Sequence, residues 1–121
     1  MAKNVAEQLV DTLEKAGVKR IYAVTGDSLN EVNEAVRKSG KIKWIHVRHE
    51  ETGAFAAAAE AQLNGELACC AGSSGPGHVH LINGLYDAQR SGAPVLAISS
   101  TLPTHEFGTE YFPGNQYNQI I

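Results

Sequence analysis

The chain has 121 residues, enough for one domain with a sizeable core, and its 43% hydrophobic and 19% charged content excludes a disordered protein. A net charge of −3 and a pI near 5.9 leave no basic footprint for nucleic acid or an anionic membrane. No apolar run is long enough to span a bilayer, and the opening "MAKNVAEQLVDTLEK" lacks the apolar centre of a signal peptide, so the expected location is the cytoplasm.

Two periodicities alternate along the chain. "NVAEQLVDTLEKAGV" places Val5, Leu9 and Leu13 at helical spacing, with Gly17 as its stop. "RIYAV" is a short strand ending in the turn "TGDS", where Ser28 or Asp27 is expected to cap the helix "LNEVNEAVRKSG". "KIKWIHV" is the second strand. An alanine-rich helix follows, in which Ala54, Ala57, Ala58 and Ala61 form one small-residue face while Phe55, Ala56 and Ala59 make the rest apolar, so the whole helix is expected to be buried. "ELACCA" is the third strand. Its adjacent Cys69 and Cys70 point to opposite faces and suit a structural role rather than a disulfide or a metal. "GSSGPG" then leads into the helix "HVHLINGLYDAQRSG", and "APVLAISS" is the fourth strand.

Strands separated by helices of this length require right-handed crossovers. The expected fold is α/β, a three-layer sandwich with a parallel sheet and helices on both faces. From Thr101 onward the period dissolves, and ending on Gln119-Ile120-Ile121 reads as the beginning of another element, so the chain is expected to be a piece of something larger. Phe107, Tyr111, Phe112 and Tyr117 suit either core packing or a cavity wall.

Ligand sites in such sheets lie at the carboxyl ends of the strands. Those ends carry "VTGDS", "VRHEE", "AGSSGPG" and "SSTLP", all polar or glycine-rich and all expected to open on one side. "GSSGPGH" is neither the lysine-bearing phosphate loop nor the GxGxxG dinucleotide turn, and it stays open between a tight turn and a site for a phosphate or polar ring. "HEETG" lacks the second histidine of a zinc HExxH motif. Glu50 and Glu51 suit the positive end of a helix dipole, but a carboxyl beside so apolar a helix is also expected to be desolvated and able to share a proton. His78 and His80, two apart on a helix, do not share a face, and no metal site is expected.

"RHEETGAFAAAAEAQ", "AGSSGPGHVHLINGLYDA" and "APVLAISS", in that order, resemble the N-terminal pyrimidine-binding domain of thiamine-diphosphate enzymes. "GVKRIYAVTGDSLNE" and "HLINGLYDA" are most similar to pyruvate oxidases and the quinone-linked pyruvate dehydrogenase, with acetolactate synthase next. The resemblance implies that residues 1–121 are a partial pyrimidine-binding domain, with the flavin- and diphosphate-binding domains absent and the isolated fragment inactive. It implies that Glu50 is the catalytic carboxyl, which bonds the aminopyrimidine and promotes the imino tautomer that yields the cofactor ylide. Ser73, Ser74, Gly75, Pro76 and Gly77 match the loop that approaches the pyrimidine. Thr25, Gly26, His80 and Phe112 match the substrate cleft, and Glu51 matches a position outside the chemistry. Pro113 departs from the glutamine often found after that phenylalanine.

The implied activity is oxidative decarboxylation of pyruvate by a homo-oligomer whose active sites lie between subunits. Its cofactors are thiamine diphosphate, with FAD and Mg2+ bound mainly by the absent domains. The alternatives are an acetolactate synthase-like carboligase, or a fragment that is a non-catalytic folding or interaction module.

Overall fold

Each strand is followed by helix through residues 2–106, the part of the chain described by a computed structural model. The expected elements all form: α1 (Val5–Lys15), β1 (Arg20–Ala23), α2 (Asn30–Ser39), β2 (Lys43–His46), α3 (Glu50–Asn64), β3 (Ala68–Gly72), a short α4 (Pro76–Val79), α5 (Ile82–Ser91) and β4 (Val95–Ser99). Asn4 caps α1 through a reciprocal box with Glu7, and Gly40, Gly65 and Gly92 close α2, α3 and α5 in the left-handed conformation that glycine adopts without a Cβ clash.

The four strands form one parallel sheet in the order β2-β1-β3-β4. Ile21 of β1 lies between Trp44 of β2 and Cys69 of β3, and Gly72 is level with Ser99 of β4. All five residues of β3 are buried, as a central strand covered on both faces requires.

Each face has its own core. Ala6, Val10 and Leu13 of α1 and Ala35 and Val36 of α2 pack on Ile21, Ala23, Cys69 and Ala71. Ala54, Ala57 and Ala61 of α3 pack with Leu81 on Ala68 and Cys70 of the opposite face. The two adjacent cysteines therefore enter different cores, both as free thiols, and burial pushes each thiol pKa up to about 12.

Three details differ from the sequence expectations. Neither Ser28 nor Asp27 caps α2: Asp27–Leu29 forms a 3-10 turn, α2 begins after Leu29, and the Ser28 hydroxyl is drawn into contacts with distant strand ends. The expected single helix after "GSSGPG" is divided at His80 and Leu81, where the Leu81 N–H reaches back only three residues to the His78 carbonyl at 3.2 Å. Finally, α3 is not buried all round. Its alanine face is covered, while Phe55 is 41% and Leu63 89% exposed. The tail expectations, including Phe107, Tyr111, Phe112, Pro113 and Tyr117, fall outside the described residues.

Candidate functional site

The carboxyl ends of the strands converge. Ser28, just beyond β1, lies 3.0 Å from the Ser73 hydroxyl and 2.7 Å from the Ser100 hydroxyl, and it accepts the Ser74 N–H at 2.9 Å. Ser100 in turn donates from both its hydroxyl and its N–H to the Gly72 carbonyl, each at 3.1 Å. The loops after β1, β3 and β4 are thus tied by one set of hydroxyls. Thr25 is exposed at this end, and Gly26 passes so close to Ser73 that a Cβ on it would lie 2.3 Å from the Ser73 hydroxyl.

The loop after β3 folds back on its own strand. Gly75 takes φ 73° and ψ −130°, a conformation open to glycine, which lets Pro76 open α4 and brings the His78 N–H to the Ser73 carbonyl at 2.8 Å. A Cβ on Gly72 would lie 2.6 Å from the Gly77 carbonyl oxygen, so the return is possible only without side chains there. His78 is 2% exposed, and its Nδ1 lies 3.2 Å from the Ser100 carbonyl. It is a buried brace rather than a ligand.

Glu50 stands opposite this loop as the first residue of α3. It is buried, with its Oε2 3.0 Å from His80 Nδ1. A Cβ on Gly77 would lie 3.2 Å from its other oxygen, Oε1. The helix can place Glu50 there because its residues are small: Gly53 packs on the Tyr22 carbonyl, and Gly84 of α5 packs on Ala54. His49, immediately before Glu50, caps the helix by accepting the Glu51 N–H on Nδ1 at 3.2 Å. Its ring also stacks on His80, with centroids 4.3 Å apart. Glu51 turns away and accepts from Asn83 Nδ2 at 3.0 Å.

The sequence matches the family described as thiamine pyrophosphate enzyme, N-terminal TPP binding domain, over residues 3–120. The chain belongs to that family. An uncharacterized 42.6 kDa protein in the isoamylase 3′ region of Pseudomonas amyloderamosa is 61% identical over 108 residues, covering 89% of this chain and 27% of the relative. The pyruvate oxidase of Lactiplantibacillus plantarum is 42% identical over 113 residues, 93% of this chain and 19% of its own length. The chloroplastic acetolactate synthase of Arabidopsis thaliana is 36% identical over 107 residues, 88% and 16%. The chain spans less than a third of the length of each of these three relatives.

Within this TPP binding domain, the residues singled out in the sequence gather at one end of the sheet: Glu50 and His80 in contact, Ser73 to Gly77 in the facing loop, Gly26 beside Ser73, and the exposed Thr25 just before Gly26. Three contributors escaped the sequence reading. Ser28 was expected to cap a helix, His49 carried no assigned role, and Ser100 was visible only as part of a polar strand end. A surface depression between α1 and α2 is lined by the ion pairs Lys3–Asp11 and Lys41–Glu14 and shares no residue with the strand ends.

Proposed function

We propose that Glu50 is the carboxyl that holds the aminopyrimidine ring of thiamine diphosphate, and that the domain works in a pyruvate oxidase-like enzyme. The observation that carries this reading is a buried carboxyl at a helix start facing bare glycine backbone. The residues fit a flat polar ring: Gly77 leaves open the space beside Glu50 Oε1, where a Cβ would intrude, and Gly72 and Gly75 let the facing loop fold back to bring Gly77 there.

When bound, thiamine diphosphate supplies an acidic carbon that becomes the nucleophile toward a 2-oxo acid. Glu50 would hold the proton shared with a ring nitrogen through Oε1, while His80 keeps Oε2 occupied and the carboxylate oriented. Burial of Glu50 limits the water that reaches the carboxyl, and the Ser28–Ser73–Ser100 hydroxyls fix the loop that the ring would face. In the oxidase reading, the substrate is pyruvate and the electrons leave through FAD. Mg2+ serves the diphosphate, and both groups are held mainly outside these residues.

The higher identity to the pyruvate oxidase, 42% against 36% for the acetolactate synthase, supports oxidation over carboligation. Product analysis with pyruvate in the assembled enzyme tests the choice. Acetate or acetyl phosphate is the expected product, and acetolactate as the main product would overturn it.

A further inference from the structure

His49, Glu50 and His80 bring one ligand atom each to within 4.8 Å of one another. We propose that these three side chains form a binding site for a divalent transition metal of the zinc or cobalt type. Two imidazoles and one carboxylate are a donor set that such ions favour over magnesium or calcium, and three protein ligands leave a position for water.

The geometry is already close for two of the three. His80 Nδ1 and Glu50 Oε2 are 3.0 Å apart, against roughly 3.3 Å for neighbouring ligands of a tetrahedral ion with bonds near 2 Å. The metal enters where a hydrogen now lies, and the His80 ring proton moves to Nε2. His49 is exposed and can turn; its Nδ1 already carries a lone pair, because it accepts the Glu51 N–H. Ligation there exchanges one helix-capping hydrogen bond for a metal bond. The second carboxylate in the first turn, Glu51, offsets the positive end of the helix that the cation approaches.

The site links elements that no sequence spacing connects. His49 and Glu50 start α3, and His80 comes 30 residues later from the junction of α4 and α5. It is separate from the buried thiols, whose pKa values of about 12 keep them protonated and poor ligands. The site itself does not depend on the pyrimidine reading. Where that reading holds, one carboxylate cannot serve both, so the metal-bound domain excludes the cofactor.

The test is titration of the 121-residue chain with Co2+ alone, followed by visible d–d absorption and calorimetry. Expected is saturation at one ion per chain. Affinity should fall at least about tenfold in each of His49→Asn, Glu50→Gln and His80→Gln, and stay unchanged in His46→Ala. Asparagine preserves a capping acceptor at position 49, and His80→Phe keeps the stacked ring should the glutamine variant fold poorly by circular dichroism. No saturation by about 1 mM metal would overturn the proposal. So would an unchanged affinity in any of the three ligand variants, or a thiolate charge-transfer band.

Discussion

The two faces of the sheet are built on opposite plans. On the α1–α2 side the core sets branched and long side chains, Val10, Leu13, Ile21, Leu29 and Val36, among smaller ones such as Ala6, Ala23 and Ala71. On the α3–α5 side Leu81 is joined by small residues, Ala54, Ala57, Ala61, Ala68 and Cys70, and glycines let the helices approach each other and the strands closely. The first plan derives stability from buried area. The second trades side-chain bulk for position: only a thin face lets the first turn of α3 set Glu50 against the loop after β3. The aliphatic face should therefore break when atoms are removed, and the small-residue face when atoms are added.

Leu13→Ala should have the largest effect on stability, about 2–5 kcal/mol in denaturant unfolding, because it leaves a cavity in a well-packed core. A cost below 1 kcal/mol would mean that this face collapses easily, and the contrast would weaken.

Gly84→Ala should come next, at about 1–3 kcal/mol destabilising. On an isolated helix the same change is favourable, but here the new methyl would lie 2.4 Å from the Ala54 Cβ and 2.7 Å from its carbonyl carbon. A gain in melting temperature would refute the close-packed description.

Ser28→Ala should cost about 1–3 kcal/mol, since it deprives the Ser74 N–H of its acceptor and the Ser73 and Ser100 hydroxyls of a partner. If Ser28 served α2 as a cap instead, the loss would appear as fraying of residues 30–39 in hydrogen exchange. The expected pattern is loosening around residues 73–78.

The smallest expected effect compares the two cysteines. Their thiols titrate near 9 when unfolded and are pushed up to about 12 by burial, so the unfolded chain loses those protons first. Stability from this source is complete below pH 9 and falls as pH rises from 9 towards 12. Thermal melts at pH 8 and 10 should differ more for the parent chain than for the Cys69→Ala, Cys70→Ala double variant. Equal differences would show that the thiols are not buried on both faces.

Much of this was legible in the sequence because it is local. The period of "NVAEQLVDTLEK" and the apolar runs around Ile21 and Cys69 fix helices and strands within a few residues, and the parallel sheet follows from their alternation. The polar strand ends revealed where a site would form, and Glu50 was visible as a carboxyl at the start of an apolar helix. What was not legible depends on contacts distant in the chain. A serine before a helix has the signature of a cap, yet Ser28 bonds Ser73 and Ser100 instead. His80 was paired with His78 by proximity in sequence, whereas the fold pairs it with His49 and Glu50. The exposure of Phe55 and Leu63 was hidden because a helix rich in alanine looks apolar on every side.

The central claim is that the thin face places one carboxylate, and not its neighbour, in the chemistry. In the proposed pyruvate oxidase-like enzyme, turnover of pyruvate with Glu50→Gln or Glu51→Gln tests it most directly. Glu50→Gln should slow kcat by about 10²–10⁴-fold with the fold intact, while Glu51→Gln, which loses only a surface bond to Asn83, should stay within a few-fold of the parent. Equal losses in the two variants, or near-parent turnover with Glu50→Gln, would contradict it.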